Sequence, residues 1–126
     1  MTEIEKILSC IGQPVRFNYP EGIVKIGILK DRSVTESGHL VSGDTESAFY
    51  WDVVDLIEFE GESEPMMRIT YYRKLNGRLV FAGQTTITEP ISTWKRMLLD
   101  TAQKKAWFRD LLQGVMGELE KPATHK

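Results

Sequence analysis

The sequence predicts an α+β fold: a curved antiparallel β-meander of five to six strands, with a short N-terminal helix and a long, kinked C-terminal helix packed on it. Three observations predict it. Between Val15 and Ile87 the chain falls into alternating apolar runs separated by Gly, Pro and Asn, the pattern of strands joined by turns. Asn76-Gly77 lies between two such runs and is the strongest short-range hairpin signal. After Ile87 the apolar period changes from two to 3.6.

The elements follow in order, within one domain of 126 residues. Thr2-x-x-Glu5 is a capping box, followed by Ile4, Ile7, Leu8 and Ile11 at helical spacing, and Gly12 and Pro14 end the run. This gives an N-terminal helix within 1–12 and places the sheet at 14–88. Val15–Tyr19 reads as a strand, Pro20-Glu21-Gly22 as a turn and Ile23–Leu29 as a second strand, with Gly27 marking a bulge or a close approach. The polar stretch 33–46 reads as a long loop with a short strand at 39–41. Phe49, Trp51, Val53, Ile57 and Phe59 alternate along the next strand. Asp55 interrupts their row, and a bulge near 52–55 would restore the phase.

Met66–Thr88 forms the central hairpin. A two-residue loop pairs Tyr72 with Phe81 and mixes apolar and charged side chains on each face. A three-residue loop, Leu75-Asn76-Gly77, pairs Lys74 with Arg78 and Tyr71 with Phe81. It collects Met67, Ile69, Tyr71, Leu79, Phe81 and Ile87 on one face, so burial favours it. Beyond Pro90, residues Ile91, Trp94, Met97, Leu98, Thr101, Phe108, Leu112, Val115, Met116 and Leu119 make one helical stripe over 90–120. Lys105 falls on that stripe and Trp107 with Leu111 nearly opposite, so a break near 103–106 is expected. The tail, 121–126, should fray. With helices on one face, the sheet either closes into a small SH3-like barrel or stays a half-barrel plugged by the C-terminal helix, a PH-like arrangement.

Composition limits the function. The chain is 41% hydrophobic and 27% charged with a net charge of −2, ordinary for a soluble globular protein. No apolar run approaches the ~20 residues of a membrane helix, the N-terminus lacks a signal-peptide pattern, and the single Cys10 fits a reducing, cytoplasmic setting. The glycines form neither a dinucleotide nor a phosphate loop, and one Cys with His39 and His125 cannot make a structural zinc site. No cofactor, metal or catalytic set is expected; a Cys10–His39 pair has nothing to orient it. Glu58, Glu60, Glu62 and Glu64 read as a solvated turn that discourages edge pairing.

Charge is segregated. From Glu36 to Glu64 there are nine acidic residues and no Lys or Arg, whereas Arg68 to Arg109 carries nine basic residues against Glu89 and Asp100. The plainest account is cross-strand pairing. A second is self-association into a homodimer. A third is an anion-binding outer face of Arg68, Tyr72, Lys74, Arg78 and Gln84, suited to RNA or single-stranded DNA. Trp107 and Leu111 mark either core behind a kink or a protein interface. The sequence therefore predicts a small non-enzymatic binding module in contact with an anionic or protein partner. The alternatives are a homodimeric structural protein and a small-molecule pocket or reaction site between sheet and C-terminal helix, where Arg73 or Lys105 would meet a carboxylate.

Overall fold

The computed structural model describes residues 1–41, 47–83 and 90–122. Helix α1 (Glu3–Leu8) opens with the expected capping box: the Glu5 backbone N–H donates to Thr2 Oγ1 at 3.1 Å, and the Thr2 N–H donates to Glu5 Oε1 at 2.7 Å. Five strands follow, β1 (Pro14–Asn18), β2 (Val24–Val41), β3 (Ser47–Phe59), β4 (Met66–Leu75) and β5 (Arg78–Phe81), antiparallel and adjacent in sequence order. They curl into a half-barrel. Two helices close the chain, α2 (Ile91–Lys104) and α3 (Ala106–Glu120). The break between them falls at Lys105, whose extended backbone interrupts the helix inside the window the sequence indicates.

The helices do not share one face. Val53 and Val54 are neighbours on β3, both fully buried, and point to opposite sides of the sheet. Val53 packs with Ile7 of α1, Val34 and Trp51; Val54 packs with Met97 of α2 and Phe108 of α3. The inner, concave face thus holds α1, and the outer face carries α2 and α3. The C-terminal stripe is buried only in its middle, since Ile91, Val115, Met116 and Leu119 are exposed at its two ends.

In the hairpin the register expected from the sequence fails. The observed pairs are Tyr72–Phe81, Arg73–Val80, Lys74–Leu79 and Leu75–Arg78, around a two-residue loop. Asn76 and Gly77 both have positive φ, 52° and 75°, the geometry that matches the twist of the flanking strands. On β5, Val80 of the outer side is 38% exposed and Phe81 of the inner side 40%, so burial does not separate the two registers there and turn chemistry decides. Tyr71 therefore lies on the outer face beside Tyr50, with ring centroids 5.5 Å apart, and Phe81 lies on the inner face beside Tyr72. The expected continuation of the hairpin through 84–88 lies outside the described residues.

Two further expectations change. The stretch from Ser33 is strand rather than loop, as β2 runs to Val41 and pairs with β3 throughout. The register shifts sit in β2, at Leu29/Asp31 and Glu36/Gly38, while β3 pairs with β4 without interruption through Asp55. Gly27 does mark a close approach: a Cβ there would come within 2.8 Å of Ile57 Cγ2 and 3.0 Å of Phe59 Cε1.

Strand β1 covers only the first part of β2, so β2 has an open edge beyond it. Cations from α2 occupy that edge. Lys104 Nζ donates to the Val34 carbonyl at 2.6 Å, and Arg96 Nη2 donates to the Ser37 carbonyl at 3.3 Å. At the helix break, Asp31 accepts from Lys105 Nζ at 2.8 Å and from Trp107 Nε1 at 2.9 Å.

Candidate functional site

Alternation places Asp55 on the inner face of β3, among Trp51, Val53, Ile57 and Phe59, and it is completely buried. Register puts Arg32 of β2 opposite it on one side and Arg68 of β4 on the other. Arg32, 2% exposed, grips the carboxylate with Nε to Oδ1 at 2.7 Å and Nη2 to Oδ2 at 3.0 Å. Its Nη1 donates to the Ile7 carbonyl at 2.9 Å, anchoring α1, and to the Tyr72 hydroxyl at 3.0 Å. Arg68 donates to the same Oδ2 from Nε at 3.2 Å and Nη2 at 2.8 Å. One buried carboxylate is therefore shared by two guanidinium groups, leaving one positive charge in excess.

The excess charge belongs to Arg68. Arg32 is almost saturated with partners, and burial alone would favour losing its proton, but Asp55 and Tyr72 hold its pKa above the ordinary value. Arg68 is more open, with 19% of its side chain exposed, and its Nη1 donates to no acceptor among the described residues. Its guanidinium carbon lies 5.5 Å from the Phe17 ring centroid and 5.1 Å from that of Phe81. Phe17 is on edge strand β1 and Phe81 on edge strand β5, so this stack spans the seam where the half-barrel stays open.

A cavity of about 310 Å³ lies at the seam, lined by Arg68, Arg32, Tyr72 and Cys10, with Val15, Leu29 and Phe81 among its apolar walls. Arg16, exposed and bonded to Asn18 Oδ1 at 3.1 Å, stands at its mouth. The Tyr72 hydroxyl accepts from Arg32 and lies 4.0 Å from Cys10 Sγ. Burial raises the Tyr72 pKa despite Arg32, so at neutral pH the phenol keeps a proton to donate. Thr70, between Arg68 and Tyr72 on the strand, is buried with Oγ1 unpaired.

The residues singled out from the sequence are distributed as follows. Arg68 and Tyr72 come together, but inside the curl rather than on an outer face. Lys74 shares their face near the rim, 3.7 Å from Glu3 Oε1. Arg78, paired with Leu75, points to the other side and is exposed. Gln84 lies outside the described residues. Trp107 packs partly buried against the Val54, Met97 and Phe108 cluster, whereas Leu111 is exposed and lines a shallow groove on α3 with Gly114, Val115 and Leu119. Arg73 is not in the cavity, which opens on the face opposite the C-terminal helices. Lys105 lines a smaller cavity of about 160 Å³ with Lys104, Ile4 and Leu8.

The sequence pattern does not mark Arg32 and Asp55 as site residues. The signal for Asp55 is its place in an apolar row, which a bulge explains equally well from sequence alone. Complementary charge on neighbouring strands is realised between Asp55 and Arg68, on a buried face. Among the described residues no group of three or more potential metal ligands occurs, and no helix is long and apolar enough to cross a membrane. Comparisons of the chain with protein-family descriptions, curated proteins and solved structures give no match in any of the three.

Proposed function

We propose that this protein is a binding module that holds the anionic group of a small molecule in the seam between β1 and β5. The observation that carries the reading is Arg68, which lines the cavity and whose Nη1 donates to no acceptor among the described residues, while Nε and Nη2 share Asp55 with Arg32. A partly buried excess cation with an unused donor nitrogen is the arrangement an anion would complete. A small anion suits the site better than RNA or single-stranded DNA. Stacking would need an open Tyr72 ring, but Arg32 lies 5.3 Å from its centroid and Phe81 5.0 Å from it. The free thiol of Cys10 agrees with a cytoplasmic setting.

Thermal-shift titration with phosphate, sulfate and small carboxylates tests the reading. Stabilisation by a bound ligand reaches about 2.7 kcal/mol at a hundredfold excess over Kd, and the Arg68→Gln variant should lose it. Equal shifts in both proteins, or none at millimolar anion, would refute the proposal.

A second reading, self-association, is favoured by the exposed Leu111, Val115, Met116 and Leu119 on α3. Sedimentation at several protein concentrations tests it, and a strict monomer at high concentration excludes it.

A further inference from the structure

Resting on the anion-binding reading, we infer that the ligand is a small monocarboxylic acid with an apolar body, its carboxylate turned toward Arg68 and Tyr72. Three features select this class. The first is charge. Arg32 and Arg68 carry two positive charges and Asp55 one negative, so this cluster on the inner face is neutralised by a single negative charge. A dianion would bring its second charge close to Asp55, which no described group other than the two arginines neutralises. Arg16 could offset that charge only from the solvated mouth, where screening leaves an ion pair weak.

The second feature is donor geometry. A planar carboxylate takes paired N–H donors from a guanidinium edge, and Arg68 has Nη1 unused. The Tyr72 phenol adds an O–H donor on the same cavity, because its oxygen already accepts from Arg32 and its proton is uncommitted except to the distant Cys10 sulfur. The third feature is the rest of the wall. Beside Gln13, Cys10 and Arg16, it is made of Val15, Leu29, Pro14 and Phe81, which offer no charge and favour a hydrocarbon or aromatic body. The cavity, about 310 Å³, is at the lower end for ligand sites, which limits the acid to a short chain or a single ring.

Calorimetric titration of the full chain with acetate, butyrate, hexanoate and benzoate tests the inference, with hexanamide, benzamide, inorganic phosphate and phenyl phosphate as comparisons. Affinity should rise by up to about fourfold per added methylene until the cavity is filled. Benzoate should bind at least about tenfold more tightly than benzamide or phenyl phosphate, and Arg68→Gln should weaken it by about tenfold or more. Should that variant fail to fold, Val15→Trp, which fills the cavity while keeping both arginines and Asp55 in the sequence, should abolish hexanoate binding. Tighter binding of phenyl phosphate or inorganic phosphate than of benzoate would overturn the monocarboxylate inference and leave an anion site standing. Equal affinity for benzoate and benzamide, or no binding of any acid at millimolar concentration, would overturn the anion-binding reading as well.

Discussion

Replacing Asp55 with Asn keeps the shape of the side chain and removes its charge, and it should destabilise the fold by about 3–5 kcal/mol. Asp55 accepts four N–H bonds, at 2.7 and 3.0 Å from Arg32 and at 3.2 and 2.8 Å from Arg68. Each is charge-assisted, a class worth about 1.5–3 kcal/mol apiece when measured singly, though not additively. Asn retains one acceptor oxygen, but Arg32, 2% exposed, is then left with no counterion. Proteins of this size are stable by about 5–15 kcal/mol in all, so Asp55→Asn should lower the midpoint of urea unfolding at pH 7 by a large fraction. In calorimetry the Tm should fall by roughly 10–20 °C. Arg68→Gln removes only the two bonds of the more exposed partner and should cost about 1–2 kcal/mol. A loss below about 1 kcal/mol for Asp55→Asn, or one no larger than that of Arg68→Gln, would show that Asp55 is not what neutralises Arg32.

Gly27→Ala places a methyl 2.8 Å from buried Ile57, and it should cost about 1–3 kcal/mol in urea unfolding; an unchanged midpoint would contradict the close contact. Gly77→Ala forces a side chain onto φ 75° and should cost about 1 kcal/mol, whereas the three-residue register, in which Gly77 is left-handed as well, predicts the same loss; replacing Asn76 with Val separates them, being costly only if Asn76 too has positive φ. Burial raises the Asp31 pKa, but Lys105, Trp107 and the Arg32 N–H bring it below the usual carboxylate value; Asp100 is likewise lowered against burial by Lys104 and Thr35. The unfolded chain therefore takes up these protons first. The stability these groups add is present above the unfolded value of about 3.9 and is lost as pH falls through the lower folded values. Asp31→Asn should flatten the acid side of the stability–pH curve, and an unaltered slope would refute the role given to Lys105 and Trp107.

Much of the architecture was legible because it depends on local signals. The Thr2/Glu5 capping box, the Asn76-Gly77 turn, the close approach at Gly27 and the break at Lys105 each follow from a residue whose chemistry allows few alternatives. The errors share one cause. Reading the sheet as covered on a single side turned Asp55 into a reason for a bulge, put Arg68 and Tyr72 outward, and put Tyr71 inward. When helices cover both sides, alternation no longer separates inside from outside. A charged residue in an apolar row then means a buried partner, and that partner, Arg32, is distant in sequence. The polar stretch from Ser33 failed for a related reason. Ser33 and Thr35 are buried, with Thr35 bonded to Asp100 and Ser33 3.4 Å from Thr101. Small hydroxyl side chains that look like loop on paper here meet polar groups of α2.

The cations that α2 lays along the open margin of β2 have a consequence beyond docking the helix. Unpaired carbonyls on a long strand are a template on which another chain can add, and Lys104 and Arg96 occupy two of them at Val34 and Ser37. A chain cut before Pro90 would retain the whole meander while uncovering that margin and the apolar outer surface around Val54. Such a fragment should aggregate rather than remain a smaller soluble sheet, so the C-terminal helices act as the sheet's built-in guard against polymerisation.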